Sequence, residues 1–285
     1  MILSFHPCFI ADRQIILGDR RLNADDFNLI GKAKAIILPQ SCSSELYRAC
    51  KNSSTHIFPN YELRFQYRGK IGQTLLFKKL NYPFPKTMIW HSVKHFRNAY
   101  NSPESYPHRV PFFIKAEESH EAEGVYLIRD RASLDLCLEN LVILEESGAS
   151  GFISQELIPT EGNVLRAVIM GAKTITYWKR PEKPGEIITT LGQGAKIDKD
   201  WRPDLQGKGS AMAKRFSAST GTNLAAIDFV FPIFEPDPGP LFLEINYYFG
   251  RRGLGGTLNY YRLLYNVIQE WLKEQGFDPN PVKLI

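Results

Sequence analysis

Ala226-Ile227-Asp228-Phe229 and Leu241-Phe242-Leu243-Glu244-Ile245-Asn246 are the two runs on which the reading of this chain turns. Both are short and apolar, broken by single polar residues, and they flank a proline-rich turn around Pro236. Runs of this kind bounded by turn residues predict a strand pair over 224–231 and 241–246. Side chains two apart on a strand share a face, so Glu244 and Asn246 point together while Leu243 and Ile245 go to the other side. If the strands pair antiparallel about the turn, Asp228 falls opposite Glu244. Two carboxylates and an amide then converge between apolar rows. Carboxylates that close repel one another and require a cation or a shared proton. Hard oxygen donors without His or Cys favour Mg²⁺ or Mn²⁺ over zinc. The competing reading is an ordinary strand whose polar side faces water.

Upstream, strands are expected at 165–170 and 174–178, joined by a hairpin turn at Gly171-Ala172-Lys173, with further strands at 112–114, 125–128 and 151–155. Helices are expected near 133–141 and 210–220. The closing helix, 258–274, carries Leu258, Tyr261, Tyr265, Ile268 and Leu272 at three- and four-residue spacing, a stripe that faces a core. The first 85 residues differ. Strands at 1–9, 14–17 and 35–38 alternate with helices capped by Asn23 and by Ser41 or Ser43. A helix over 71–80 is stopped by Asn81-Tyr82-Pro83-Phe84-Pro85, where two prolines force extended backbone. Such alternation predicts a small, mostly parallel α/β layer, so the chain reads as an α/β head before an α+β body.

The composition is that of a folded protein: 285 residues, 44% hydrophobic and 23% charged. Disorder, collagen and coiled coil are poor fits. No apolar run approaches the ~20 residues of a membrane-spanning helix. Met1-Ile2-Leu3-Ser4-Phe5-His6-Pro7 lacks a signal peptide's basic region, so a cytoplasmic location is expected. The net charge of +5 permits anionic ligands without demanding them. Cys8, Cys42, Cys50 and Cys137 have no metal-ligand spacing and read as thiols in a reducing compartment. His91 and His95 stand four apart but lack a third ligand. No phosphate-binding G-x-x-x-x-G-K-[ST] loop occurs.

Lys115 ends the apolar run Phe112-Phe113-Ile114, and Lys70 lies at a helix start, where the helix dipole disfavours a cation. The order Lys70, Lys115, Gln155-Glu156-Leu157-Ile158, Arg166, Arg180 and Asp228…Glu244-x-Asn246 resembles the ATP-grasp superfamily. It is most similar to the RimK-like branch of carboxylate–amine ligases. The resemblance runs from Asn60 to Gly256 and includes Asn81 to Thr87, which is similar to the family's segment joining the first domain to the ATP-binding part.

The resemblance implies an ATP-grasp fold: a small Rossmann-like N-terminal domain (1–85), a central small lobe (86–157) and a C-terminal lobe (158–285), with ATP clasped between the last two. It implies that Lys70 and Lys115 contact ATP phosphates, and that 155–158 form the hinge whose backbone reads the adenine edge. Asp228, Glu244 and Asn246 would hold Mg²⁺ (or Mn²⁺). Arg166 and Arg180 would face the γ-phosphate or an acyl-phosphate. The activity implied is ADP-forming ligation of a small-molecule or peptide carboxylate to an amine. In Tyr247 to Gly256, the glycines allow close backbone approach, and Arg251 or Arg252 is placed to hold a substrate carboxylate, the competing reading being a flexible loop with solvated arginines. A homodimer would be ordinary, and a membrane partner is not expected.

The sequence departs from the family pattern at the phosphate-covering loop. Residues 118–124 read Glu-Ser-His-Glu-Ala-Glu-Gly, with three acids and one glycine. Val164 stands where an acidic ribose ligand is expected, leaving Glu161 or Asn163 for that role, and Thr190 stands in place of an asparagine. Two other readings stay open: an ATP-binding scaffold or sensor of the same fold, and a nucleic-acid-binding protein. The second is disfavoured because the basic residues are scattered.

Overall fold

The computed structural model describes residues 1–53, 56–100, 102, 105–117, 124–149, 151–183, 185, 187 and 194–285. In the head, β1 (Ile2–Ser4), β2 (Phe9–Ile10), β3 (Arg13–Gln14), α1 (Ala24–Lys32), β4 (Ala35–Ile37), α2 (Ser44–Lys51) and β5 (His56–Phe58) follow one another. Four of these strands form a parallel sheet in the order β3-β1-β4-β5. Asn23 caps α1 reciprocally: its Oδ1 accepts from the Asp26 N–H at 2.9 Å, and Asp26 Oδ2 accepts from the Asn23 N–H at 2.9 Å. Ser43, not Ser41, caps α2. The expected strand over 1–9 is interrupted. The chain turns at Pro7-Cys8, and β2 pairs instead with β15 (Lys283–Leu284).

Next come α3 (Glu62–Gln66) and α4 (Gly69–Lys79). The Asn81 to Pro85 stop is seated in apolar surroundings: Tyr82 packs on Phe216 and Phe242, and the Phe242 N–H donates to the Pro83 carbonyl at 2.8 Å.

The central lobe comprises β6 (Thr87–Trp90), α5 (Val93–Ala99), β7 (Phe112–Ala116), β8 (Val125–Ile128), α6 (Arg131–Glu146) and β9 (Phe152–Glu156). Its antiparallel sheet runs β6-β9-β7-β8. Trp90, Phe96, Phe112, Ile114, Leu138 and Phe152 belong to its own core.

The C-terminal lobe contains β10 (Val164–Met170), β11 (Lys173–Arg180), β12 (Lys196–Asp198), α7 (Pro203–Thr220), β13 (Leu224–Val230), β14 (Leu241–Asn246) and α8 (Gly256–Glu274). Its antiparallel sheet runs β12-β11-β10-β13-β14. One face packs Leu165, Ala167, Trp178 and Phe229 with Phe216 of α7, in a core that also takes in Leu3 and Ile36 of the head. The other packs Val168, Tyr177 and Ala226 against Leu264 and Ile268 of α8. The strand pair has one irregularity. Asp228 pairs Glu244 but Phe229 pairs Phe242, so Leu243 is an extra residue. That bulge turns Phe242 into the core while Glu244 keeps the opposite face.

β14 is an edge strand, and α4 covers it. The Gln73 side chain donates to the Ile245 carbonyl at 2.9 Å and accepts from the Ile245 N–H at 2.7 Å, imitating one rung of a further strand. Gln73→Ala leaves both backbone groups unpaired and is expected to cost about 1–3 kcal/mol. Urea denaturation measures this as a lower midpoint at unchanged slope, and an unchanged midpoint would mean that the edge is held by packing alone.

Candidate active site

Strand register brings Arg166, Tyr177, Asp228 and Glu244 onto one sheet face, because Arg166 pairs Tyr177 and Asp228, and Asp228 pairs Glu244. Asp228 is 1% exposed. Its Oδ1 accepts from Arg166 Nε at 2.8 Å, and its Oδ2 accepts from Arg166 Nη2 and from Lys179 Nζ, each at 2.8 Å. Asn246 Nδ2 donates to Glu244 Oε1 at 2.8 Å and lies 3.5 Å from Asp228 Oδ2. Burial alone would raise the Asp228 pKa, but the charges and hydrogen bonds of Arg166 and Lys179 outweigh it and hold the carboxyl well below the usual range. Two cations and two carboxylates thus stand at the sheet's end. The polar side of this strand is not a water-facing one.

Lys179 was not among the residues singled out from sequence. Its place follows from the β10–β11 turn. The expected three-residue turn would put Arg180 on the face of Arg166. In the structure Met170 pairs Lys173, so the turn has two residues and every side chain of β11 changes face. Lys179 therefore meets Asp228. Arg180 points away, over the Trp201 ring at 4.4 Å, with Nη1 donating to Asp198 Oδ2 at 2.8 Å and Nε to Asn163 Oδ1 at 3.4 Å. Arg180, Asn163, Glu161, Asp198 and Lys199 line a cavity of about 990 Å³.

Lys70 and Lys115 approach from the other two parts of the chain. Lys115 Nζ donates to Gln155 Oε1 at 2.6 Å, and Gln155 Nε2 donates to Thr87 Oγ1 at 2.9 Å. Burial lowers the Lys115 pKa to about 8, opposed by the Glu244 carboxylate and aided by the charge of Lys70. Burial also lowers Lys70, against the pull of Glu244 and Glu117. Head, central lobe and C-terminal lobe therefore each send a charged group to one place. Lys70 is carried there by the start of α4, where Glu117 Oε2 accepts the Ile71 N–H at 2.8 Å and supplies the anion that a helix N-terminus favours. Gly69 makes this contact possible: its φ is +62°, and a Cβ there would collide with the Glu117 carboxylate.

At the expected hinge, Glu156 is tied to the linker. Its Oε1 accepts from the Lys86 N–H at 2.6 Å, and its own N–H donates to the Lys86 carbonyl at 3.0 Å. Leu157 and Ile158 follow, half-buried. Arg251 lies over the rings of Tyr260 and Tyr261, at 4.9 and 4.6 Å. Arg252 is exposed and opens a single 3-10 turn, Arg252–Leu254. Residues 118–123 of the acidic loop and Thr190 lie outside the described residues; Gly124 is described and has φ +67°.

Among the described residues, no three His, Cys, Asp or Glu stand together as a ready metal site. The oxygens of Glu244, Asn246 and Asp228 nevertheless suit a hard divalent cation. One condition applies: both Asp228 oxygens are engaged by Arg166 and Lys179, so Glu244 and Asn246 are the donors more readily given to an ion.

Solved structures share this arrangement of lobes. The RimK domain ATP-grasp protein of Sphaerobacter thermophilus matches with a TM-score of 0.58 at 15% identity, over 93% of this chain and 98% of that one. The fold is ATP-grasp. An N5-carboxyaminoimidazole ribonucleotide synthetase of the same ATP-grasp architecture, solved as its ADP complex, matches with a TM-score of 0.57 at 13% identity, over 83% of this chain and 59% of that one. In sequence, the chain is 26% identical over 145 residues to a probable α-L-glutamate ligase of Shewanella frigidimarina, covering 51% of this chain and 45% of the relative. It spans about half the length of the curated relatives it matches. No family model matches the chain. The likeness to RimK-like ATP-grasp proteins thus stands on fold and on a half-chain sequence match together.

The clamp on Asp228 makes stability depend on pH. A carboxyl whose folded pKa is depressed stabilises the fold above its unfolded pKa, and that stability is lost as pH falls through the folded pKa. Unfolding free energy is therefore expected to hold near neutrality and to begin falling below about pH 5. Asp228→Asn removes the Asp228 share of that acid limb and leaves two buried cations uncompensated, at a cost of about 3–5 kcal/mol. Denaturant melts of both proteins between pH 3 and about 7 check it; parallel curves would show that Asp228 titrates normally.

Proposed function

We propose that this chain is a Mg²⁺- and ATP-dependent ligase that activates a carboxylate as an acyl-phosphate and joins it to an amine. The observation that carries this reading is the convergence of Lys70, Lys115, Arg166, Lys179, Asp228 and Glu244, drawn from three parts of the chain. A structural ion pair needs two partners from neighbouring strands. A cluster fed from three bodies, with both Lys70 and Lys115 at depressed pKa, suits a polyanion whose charge shifts during reaction.

In this reading Lys70 and Lys115 bind the triphosphate from the head and central lobe, and the 155–158 hinge takes the adenine. Glu244 and Asn246, with Asp228, hold Mg²⁺, which neutralises phosphate charge when bound. Arg166 and Lys179 have a second role beyond gripping Asp228: both lie beside the carboxylates and can turn to the transferring phosphoryl group. The acid's carboxylate oxygen attacks the γ-phosphorus and ADP leaves. The amine nitrogen then attacks the acyl carbon, phosphate departs with the former carboxylate oxygen, and one proton is released. Arg180 and Asn163 serve the neighbouring cavity, where a ribose or a substrate is held.

The scaffold or sensor alternative predicts binding without turnover, and one experiment separates them. Calorimetric titration with ATP is expected to show Mg²⁺-dependent binding, and a screen of acids with amines is expected to release ADP. Glu244→Gln should lower that release by about 10²–10³, the scale for removing one electrostatic group at a transferring centre. ATP binding with no ADP release from any pair would favour the sensor; no binding at millimolar ATP would sink both.

Lys115 supplies a separate check. Its proton is lost as pH rises through about 8, so ATP affinity is expected to decline above that pH. Lys115→Met should bind ATP more weakly throughout and lose the alkaline decline. A wild-type affinity flat between pH 7 and about 9.5 would remove Lys115 from the phosphate site.

A further inference from the structure

The contact between the central lobe and the start of α4 puts an acid beside a lysine that the ligase reading assigns to phosphate. No side chain of its own caps the first turn of α4, which carries Lys70 and no acid. The N–H groups at a helix start favour an anion, and the anion arrives from the central lobe. Glu117 Oε2 accepts the Ile71 N–H at 2.8 Å. Gly69 leaves room for it: with φ at +62°, the backbone there suits glycine, and a Cβ would collide with the Glu117 carboxylate. The carboxylate therefore fills the space that a side chain at position 69 would occupy.

Both lysines of the ligase reading are close to this acid. Glu117 follows Lys115 by two residues as the chain leaves β7, and Lys70 immediately precedes Ile71. Burial lowers the Lys70 pKa while the charges of Glu244 and Glu117 act against it, and the charge of Lys70 in turn reaches Lys115. The two acids differ in what else they serve. Glu244 stands with Asn246 and Asp228, donors suited to a divalent cation that balances its charge when bound. Glu117 lies outside that donor set, so its negative charge opposes any phosphate brought to Lys70. The contest is also one for a donor. A backbone N–H has one hydrogen, and a carboxylate oxygen that accepts it at 2.8 Å excludes a phosphate oxygen from the same place.

We propose that Glu117 sets the nucleotide affinity of this chain by competing with the triphosphate for the Ile71 N–H and for Lys70, so that a phosphate group binds there by displacing the Glu117 carboxylate. This role rests on the ATP site of the ligase reading, and it runs against binding. Glu117 then has two opposed effects. Holding α4 to the central lobe stabilises the fold, and the same hold weakens the grip on phosphate. Because the contest is between anions, it acts on polyphosphates and leaves adenosine untouched.

Calorimetry on the full chain tests it. Wild type is compared with Glu117→Gln, which keeps an acceptor for the Ile71 N–H but not the charge, and with Glu117→Ala, which keeps neither. The probes are ATP and inorganic tripolyphosphate, each with Mg²⁺, and adenosine. Both variants are expected to bind ATP and tripolyphosphate about tenfold more tightly than wild type, with adenosine unchanged. Thermal melts are expected to show the other effect: Glu117→Ala melts lower than wild type, and Glu117→Gln recovers part of the loss. A purely structural tie predicts the opposite sign for affinity, because freeing the start of α4 loosens Lys70. Equal or weaker binding of either polyphosphate in the folded variants overturns the proposal, and so does a gain for adenosine as large as that for ATP. Should Glu117→Ala misfold, the near-isosteric Glu117→Gln carries the test alone. Tighter tripolyphosphate binding in the variants, with ATP held no better than tripolyphosphate, keeps the competition and removes the nucleotide reading. ATP that binds all three proteins alike, and more tightly than tripolyphosphate, does the reverse.

Discussion

The Asp228 carboxylate, buried and held by two cations, is the interaction on which the C-terminal lobe's polar face depends. An isolated carboxylate there would be neutralised by burial, and isolated cations would be driven out. Together they make a charge-balanced knot that the apolar sheet can enclose. Such knots contribute little net stability against a well-packed apolar substitute, yet removing one member is costly. Its worth lies in position: it keeps Arg166 and Lys179 extended and aimed at one end of the sheet, beside Glu244.

Two further contacts carry that order outward. Gln73 fixes the edge strand through the backbone between Glu244 and Asn246, and Glu117 ties the start of α4 to the central lobe beside Lys70. Neither belongs to the Asp228 cluster itself. Each is a side chain on one element that completes the backbone hydrogen bonding of another, and each joins a different pair of lobes. Gly253 has a comparable function in the loop after β14, since a Cβ there would collide with the ring of Tyr177, which stands beside Arg166.

Much of this was legible in the chain, for identifiable reasons. The Asp228–Glu244 pairing follows from two-residue alternation around a proline-rich turn, and alternation is the most regular signal a strand has. Asn23 and the helical stripe of 258–274 are equally local. What escaped depended on single-residue register or on distant partners. Whether the hairpin at Gly171 has two or three turn residues decides between Lys179 and Arg180, and no local pattern settles it. The bulge at Leu243 is set by the fit of Phe242 against Phe229 and Phe216. β6 and α5 follow the proline break at 83–85 without a strong periodicity of their own and owe their form to packing of Trp90 and Phe96.

The partition of the cores has a mechanical consequence. Head and C-terminal lobe share apolar packing and are laced again by the β2–β15 pairing, whereas the central lobe's core is drawn wholly from its own residues. The central lobe is therefore the part whose apolar packing, among the described residues, does not depend on the other two. Its polar tie to the head runs through the Glu117 carboxylate, which accepts the Ile71 N–H at the start of α4.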